Sequence, residues 1–362
     1  MVYWKGQELV FENYILQTRI SADPVVCTIL HFCRQWRSFR ELTAYLKDYE
    51  ERSIRRALER LQSTGMLERS PAPPGDDRAG TIAGWASWNP AAGFFHFSTK
   101  DTYFAADQAR VLEELKRKSR VHPMPVPVKR YPESRRRKLP RAATVGQFPQ
   151  ILLERRTWRK YGREEVSSEA LATTLGLTFG IQGWVEVPGL GKAALKTSPS
   201  GGCLHPIEAY VLVQRVEGLR AGIYHYNAAL HELEWIRRGL SRGSLERHLG
   251  NQWWFAQSAF LVLMTAVFGR TQWKYGYPRA YRAILLEAGH LCQTFCLTAT
   301  WLGLAPFCTI AGTDTQWENW LGVDGIEESL VYVAGAGARP RPIRGAHIGM
   351  IGKCTAAPSS QR

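Results

Sequence analysis

The chain has 362 residues and a formal net charge of +15, with 47 Lys and Arg against 32 Asp and Glu. This length allows two domains, and a content of 45% hydrophobic and 22% charged residues excludes a chain that is disordered throughout. The N-terminus carries no basic region followed by an apolar run, and no apolar stretch is long enough to span a bilayer. We therefore expect a soluble, cytoplasmic protein with no membrane partner.

The excess of positive charge is compatible with nucleic acid or an acidic partner, and equally with a single basic linker. Charge alone therefore selects no function.

The cysteines indicate a reducing compartment. Their number is odd and none forms a CxxC pair. Cys292 and Cys296 lie one helical turn apart, but no histidine or further cysteine nearby in the sequence completes a zinc set. We therefore predict reduced thiols and no metal site.

Residues 24–69 read as three consecutive helices. Pro24 opens the first, and Ser38 with Glu41 three positions later forms a capping-box pattern at the start of the second. The third begins at about Ser53 and ends at Gly65, after which Met66 opens an extended segment. This pattern predicts a small winged-helix-like domain over residues 1–104.

The middle of the chain is less regular. Residues 71–80 (PAPPGDDRAG) form a turn-rich loop that suits the tip of a wing, and residues 81–99 are aromatic-rich, which suits a strand or packing material in a core or interdomain seam. The pattern of residues 105–148 predicts a helix over about 105–117, followed by a Pro-rich basic linker. The run from Arg135 to Lys138 in this linker accounts for a good part of the net charge.

Residues 149–350 mix helical and strand patterns without a regular βαβ period, which predicts an α+β domain, and residues 351–362 are a tail. Helices are predicted over 152–156, from Ser168, and over 280–302. Strands are predicted over 209–216, 222–226, 258–267 and 330–333.

Four short motifs in this domain could carry chemistry. Arg155-Arg156-Thr157-Trp158-Arg159 offers guanidinium and hydroxyl donors to a phosphate, and Pro199-Ser200-Gly201-Gly202 lets the backbone approach a flat ring. Glu287-Ala288-Gly289-His290 places a glycine inside a helix, which costs roughly 1 kcal/mol and usually has a packing reason. Gly335-Ala336-Gly337-Ala338-Arg339 reads as a glycine-rich loop after the last strand. Each motif alone is a weak signal.

The order and spacing of these segments resemble the nitroreductase superfamily. The segments are RRTWRKY, SPSGGCLHPIEAYVLV, GIYHYNAALHELE, WKYGYPRAYRAILLEAGHLCQTFCLTATWLGLAP and LGVDGIEESLVYVAGAGA, and the resemblance covers about residues 150–340. Within the superfamily the chain resembles the azoline dehydrogenases of ribosomal peptide maturation. The pattern SFRELTAYL…SIRRALERLQSTGMLER is similar to small domains that bind leader peptides.

The resemblance implies an α+β homodimer with FMN at the subunit interface. It assigns the FMN phosphate and ribityl chain to Arg156, Thr157 and Arg159, with help from Arg155 and Arg339. It places Pro199, Ser200, Gly201 and Gly202 against the isoalloxazine, from the partner subunit. Gly303 and Leu304 match the family's loop after the long helix.

The resemblance also assigns catalysis to Lys274 and Tyr275, because azoline dehydrogenases of this type carry a Lys-Tyr pair. Converting a thiazoline or oxazoline to an azole removes a proton from one ring carbon and a hydride from the next, so the reaction needs a base. A lysine can be that base where its surroundings favour the neutral amine, and Tyr275 could share the proton or orient the ring.

Three functions remain open from the sequence. The first is azoline oxidation in a precursor peptide, with a possible cyclodehydratase partner. The second is an NAD(P)H-dependent flavin reductase acting on dehydroamino acids, nitro groups or quinones. The third is a DNA-binding regulator with a flavin sensor domain, for which the third helix offers Arg52, Arg55, Arg56 and Arg60. The basic linker explains the charge equally well, so we expect no nucleic-acid partner.

Overall fold

The computed structural model describes residues 1–70, 83–102, 107–122, 139–140 and 142–340. The expected wing tip at residues 71–80, the basic run from Arg135 to Lys138 and the tail at 351–362 lie outside the described residues.

The N-terminal part combines a small sheet with three helices. Strands β1 (Val2–Lys5), β2 (Glu8–Asn13) and β3 (Thr18–Ser21) form an antiparallel sheet in the order β1-β2-β3. Helices α1 (Val25–Phe32), α2 (Phe39–Tyr45) and α3 (Glu51–Ser63) follow. Their core is apolar and consists of Phe11, Ile20, Val26, Ile29, Leu42, Leu46, Ile54 and Leu61. The sequence predicts the helices but not the sheet that precedes them.

The predicted capping box at α2 is confirmed. The Ser38 hydroxyl accepts a hydrogen bond from the Glu41 backbone N–H, and the Glu41 carboxylate accepts one from the Ser38 N–H at 2.7 Å. The predicted extended segment at Met66 is wrong. Gly65 adopts φ +67°, and the N–H groups of Met66 and Leu67 turn back to the Leu61 carbonyl, so they cap α3 instead of starting a strand.

The aromatic segment, residues 83–99, packs as expected but is not a strand, because it contains helix α4 (Ala91–Thr99). Trp85 and Trp88 are buried in the core of the large domain, where they contact Phe268. The Trp85 indole also donates a hydrogen bond to the Ile326 carbonyl at 2.9 Å. Helix α5 (Gln108–Val121) confirms the helix predicted over 105–117 and extends it.

The large domain is α+β, as the sequence predicts. Its helices are α6 (Gln147–Glu154), α7 (Ser168–Thr178), α8 (Arg242–His248), α9 (Phe268–Lys274), α10 (Tyr281–Trp301) and α11 (Asp314–Leu321). Strands β4 (Gly183–Val187) and β5 (Gly191–Leu195) form a separate hairpin. The remaining strands are β6 (Ile207–Val213), β7 (Gly222–Asn227), β8 (Glu232–Arg238), β9 (Phe260–Val267), β10 (Leu304–Thr309) and β11 (Glu328–Ala338).

These six strands form one antiparallel sheet in the order β10-β11-β9-β6-β7-β8. Side chains alternate between its two faces. In β9, Val262 and Met264 pack in the core that includes α7 and α10, whereas Leu261 and Leu263 pack in the core that includes α8 and α11. Because helices cover both faces, β9 is apolar along almost its whole length.

One expectation about the end of this sheet is wrong. Gly335, Ala336, Gly337 and Ala338 are not a loop but the last residues of β11. The glycines serve packing, since a Cβ on Gly335 would lie 2.5 Å from the Phe307 ring. Arg339 therefore follows directly on a strand. In the described ranges, no helix combines the length and apolar character that crossing a membrane requires.

His225 on β7 links three neighbouring strands, because its ring lies between a carboxylate on β6 and a carboxylate on β8. Its ring nitrogens lie 3.0 Å from the Glu208 carboxylate on β6 and 2.8 Å from the Glu234 carboxylate on β8. These hydrogen bonds, chiefly the one to Glu208, outweigh partial burial and raise the pKa of His225 to about 9. Arg270 also pairs with Glu208.

A raised pKa in the folded protein contributes stability that is present below the unfolded value and lost as pH rises through the folded value. We expect His225→Asn to lower the free energy of unfolding by roughly 1–2 kcal/mol at pH 6, a value discounted for the solvent around this half-buried ring. The deficit should shrink as pH rises through about 9. Urea unfolding at several pH values measures it, with His31→Asn on the exposed surface of α1 as the control. A deficit that does not change with pH contradicts the assignment.

Candidate functional site

The predicted ring-binding segment forms a tight turn against the long helix α10. It leads into a 3₁₀ turn at Gly201–Cys203, and Gly202 adopts φ +72°. The Ser200 hydroxyl donates to the Glu287 carboxylate on α10 at 2.6 Å and accepts from the His205 N–H at 2.9 Å. These bonds fix the turn between the β4–β5 hairpin and the main sheet.

Glu287 is a buried carboxylate that the sequence marks only as part of a helical motif. Burial raises the pKa of Glu287, and the hydrogen bond from Ser200 opposes this effect. Its spacing could have revealed it, because it lies three residues after Ile284 and four before Leu291, on the apolar face of α10.

Two further titratable side chains adjoin Glu287. His205 Nδ1 lies 3.8 Å from the Glu287 carboxylate. Burial lowers the pKa of Lys196, while Glu208 and Glu287 act in the opposite direction. Neither Lys196 nor His205 stands out in the sequence as a site residue, because their partners come from distant strands and from α10.

Lys274 and Tyr275 lie at the end of α9, beside this turn. A Cβ added to Gly202 would lie 2.8 Å from the Tyr275 hydroxyl and 2.9 Å from Lys274 Nζ, so both polar ends face the Gly202 backbone. The Trp88 indole donates a hydrogen bond to the Tyr275 carbonyl at 2.9 Å. Lys274 is exposed and Tyr275 is half-buried. The structure thus brings the predicted catalytic pair to the predicted ring-binding turn.

The predicted phosphate-binding residues gather elsewhere, after α6. The Trp158 N–H donates to the Pro306 carbonyl at 2.9 Å, which holds the segment of Arg155, Arg156, Thr157 and Arg159 along β10. The Arg156 guanidinium donates to the Leu153 and Arg155 carbonyls at 2.7 Å each.

Arg339 joins this second group of residues to the loop after α10. Its guanidinium lies 5.7 Å from the centroid of the Trp158 ring. It donates to the carbonyls of Leu304 and Thr300 at 3.1 Å each, and so secures the turn at Gly303, which has φ +72°. Arg155–Arg159, Gly303, Leu304 and Arg339 therefore form one assembly.

The two groups are attached to different parts of α10. The turn at Ser200 bonds to Glu287, whereas Arg339 bonds to Thr300 at the far end of the helix. With a rise of about 1.5 Å per residue, these anchor points are roughly 20 Å apart along the helix axis. We call these two groups, which bond to separate points along α10, the ring-binding and phosphate-binding half-sites.

A cluster of cysteines lies between α10 and β10. The Sγ atoms of Cys292, Cys296 and Cys308 all lie within 4.8 Å of one another. Hydrogen bonds from the other two thiols lower the pKa of Cys308, whereas hydrogen bonding within the cluster raises the pKa of Cys292. Linear spacing reveals only the pair on α10, because Cys308 comes from the next strand.

The chain is thus an α+β protein in which the two groups of candidate site residues are attached to one long helix. The sequence model of the nitroreductase family matches residues 152–338, just over half of the chain, and the chain belongs to this family.

Two curated relatives are peptide-processing proteins by name. The trifolitoxin-processing protein TfxB of Rhizobium leguminosarum bv. trifolii is 31% identical over 176 residues, 46% of each chain. The microcin B17-processing protein McbC of Escherichia coli is 30% identical over 138 residues, 35% of this chain and 48% of that protein. This chain therefore spans about half the length of either relative.

Among solved structures, the E. coli microcin synthetase McbBCD complex with truncated pro-MccB17 bound matches with a TM-score of 0.46 and 23% identity. The match covers 65% of this chain and 84% of that chain.

Gly202→Ala tests the packing of Lys274 and Tyr275 against the turn. The new methyl group would adopt an unfavourable left-handed backbone and push against Tyr275 and Lys274, so we expect a loss of about 1–3 kcal/mol in the free energy of unfolding. Gly201→Ala is the matched control, because its Cβ would meet only the Ala283 side chain at 3.6 Å, an ordinary contact. Because Gly202 has a positive φ and Gly201 does not, equal losses for the two variants in chemical denaturation would contradict both the left-handed backbone and the close approach at Gly202.

Proposed function

We propose that this chain is an FMN-dependent dehydrogenase that oxidises azoline rings in a ribosomally made precursor peptide to azoles. The observation that carries the proposal is the position of Lys274 and Tyr275, whose polar ends converge on Gly202 in the turn proposed to hold the flavin ring. Membership of the nitroreductase family and the peptide-processing relatives support it.

The residues present fit FMN chemically. Arg155, Arg156 and Arg159 offer a concentrated set of cations for a phosphate, with the Thr157 hydroxyl among them. At Gly202 the space that a side chain would take is filled by the ends of Tyr275 and Lys274, so the glycine lets both polar groups reach the backbone of the turn proposed to hold the flavin ring. Bound FMN supplies a two-electron acceptor that takes up a hydride.

We propose that two copies of the chain complete each site. One copy would contribute Arg155–Arg159, with Arg339 and the loop at Gly303 and Leu304 as its support. The other would contribute the turn at Pro199–Gly202. The resemblance to the family, which implies FMN at the subunit interface, supports this arrangement, and the two groups bond to points roughly 20 Å apart along α10.

Lys274 then has a defined role. The neutral amine at Nζ accepts the proton from the azoline ring carbon, while Tyr275 orients the ring or shares the proton. Trp88 holds the Tyr275 backbone, so it acts as a positioning residue.

The N-terminal part suits recognition of the peptide or of a cyclodehydratase partner. An open groove of about 700 Å³ runs between its sheet and helices, lined among others by Phe11, Trp36, Phe39, Leu58 and Met66. The DNA-binding alternative has less support than peptide recognition, because the Arg55 guanidinium on α3 already pairs with Glu51 and stacks over Phe39.

Arg159→Ala tests the phosphate half-site. Loss of a charge-assisted hydrogen bond costs about 1.5–3 kcal/mol, so we expect FMN binding to weaken by roughly 10- to 100-fold. Lys160→Ala is the matched control, because Lys160 is the adjacent exposed cation and is not assigned to the phosphate. Fluorescence titration of flavin into flavin-free protein measures both dissociation constants. Equal weakening in the two variants would show a general charge effect.

Lys274→Ala tests the direction of the chemistry. With a synthetic azoline peptide, we expect turnover to fall by about 10²- to 10⁴-fold while flavin content stays unchanged. Mass spectrometry follows the loss of two hydrogens per ring, and Arg279→Ala, an exposed cation just after the pair, is the control. If Lys274→Ala leaves turnover intact, or if the protein only reduces substrates with NAD(P)H, the flavin reductase interpretation replaces this proposal.

A further inference from the structure

The three clustered thiols lie outside the proposed catalytic pair and have no part in its chemistry. We propose that Cys292, Cys296 and Cys308 bind one thiophilic divalent cation of the Zn²⁺ class.

The geometry of the thiols suits such an ion. Cys292 and Cys296 project from consecutive turns of α10, and Cys308 faces them from β10. Their Sγ atoms lie within 4.8 Å of one another. Zinc–sulfur bonds of about 2.3 Å in a tetrahedral site place sulfur atoms roughly 3.8 Å apart, so each thiol needs to move by less than about 1 Å.

The surroundings balance the charge of a divalent ion. Three thiolates carry three negative charges, and Zn²⁺ carries two positive charges. The Arg155 guanidinium, which interacts electrostatically with Cys296 and Cys308, supplies a third positive charge. The site is therefore neutral overall, which matters because Cys292 and Cys296 are only 3% and 4% exposed. A monovalent soft cation would leave one negative charge uncompensated.

A fourth ligand position and an outer hydrogen bond are also available. The Tyr332 hydroxyl on β11 hydrogen-bonds to Cys308, which suits a group that orients a sulfur ligand. Three protein ligands leave one tetrahedral position for water.

Because the cluster lies between α10 and β10, a bound ion would connect these two elements. It would join the C-terminal half of α10 to β10, the strand along which Arg155–Arg159 runs. The thiolates that the ion holds together would attract the Arg155 guanidinium and so support the phosphate half-site. This inference does not depend on azoline chemistry, because it rests on the thiols alone.

Metal analysis of the full-length protein tests the site directly. After incubation with Zn²⁺ under reducing conditions and exhaustive dialysis, we expect one Zn²⁺ per chain by mass spectrometry of the elements. Competition with a chromophoric chelator should show affinity weakened at least about 100-fold in Cys308→Ser and in Cys292→Ser. Cys27→Ser, which changes an exposed thiol on α1, should bind like the unmodified chain.

Several results would overturn the proposal. They are less than a tenth of an equivalent of Zn²⁺ in the unmodified chain, unchanged affinity in the cluster variants, or a disulfide within the cluster under the same reducing conditions. Far-ultraviolet circular dichroism shows whether each variant is folded, and flavin content measured on the same samples separates failure of the metal site from failure of the FMN proposal. Cd²⁺ gives a second readout, because thiolate ligation produces an ultraviolet charge-transfer band that oxygen ligands do not.

Discussion

The burial of one face of α10 against the central sheet is the interaction on which the rest of the structure depends. Ile284, Leu291 and Phe295 lie on this face and are almost fully buried, each contributing on the order of 1.5–3 kcal/mol through removal of apolar surface from water. This packing fixes the helix along its length, and the groups that could act chemically are attached to it. Glu287 anchors the turn at Ser200 and Thr300 anchors Arg339, so the position of one helix sets both half-sites.

The same packing explains how a carboxylate can remain inside the domain. A buried polar group is costly unless it is hydrogen-bonded, and Glu287 receives the Ser200 hydroxyl and lies near His205 and Lys196. The apolar neighbours on α10 offset the remaining cost. The turn consequently cannot move without leaving a buried carboxylate unsatisfied, which gives it the rigidity that a binding surface requires.

The aromatic segment links the N-terminal part to the proposed catalytic pair. The Tyr14 hydroxyl, next to β2, donates to the Asn89 side chain at 3.1 Å, and the Gln17 side chain donates to the Phe97 carbonyl at 2.7 Å. One residue before Asn89, Trp88 holds the Tyr275 carbonyl. A chain of direct contacts therefore runs from the small sheet to Tyr275. A peptide bound to the N-terminal part would be held at a fixed distance from the proposed site.

The sequence predicts those structural features that patterns within a few residues determine. The capping box at Ser38, the helix at Ser168 and the apolar strand at β9 follow from hydrogen-bonding groups or periodicity within a few residues, and the structure contains all three. Features that depend on distant partners are missed. The strand ending at Ala338 looks like a loop because Gly335 serves packing against Phe307 of another strand and Gly337 serves packing against Tyr161.

The candidate site also contains residues that local sequence patterns predict and residues that they do not. The Lys274-Tyr275 pair and the arginine motif are contiguous in sequence, so resemblance to a family can select them. Lys196, His205 and Glu287 come together only through the turn before β6 and the register of α10 on the sheet. Cys308 similarly joins the cysteine pair of α10 only because β10 lies alongside that helix. Such sets have no short spacing that sequence reasoning could detect.

The outward face of α10 is where a second copy of the chain could contact both half-sites. Leu286 is 63% exposed and Trp301 is 46% exposed, and with the exposed His290 and Gln293 they follow one side of the helix. Leu286 and Trp301 expose apolar surface at the two ends of this side, and the polar His290 and Gln293 lie between them, a mixed composition that a protein partner could cover. Because this side runs from the level of Glu287 to the level of Thr300, a second copy packed along it would lie beside both half-sites. The proposed dimer, in which each subunit supplies what the other lacks, would cover Leu286 and Trp301 and bring the two half-sites of different subunits together.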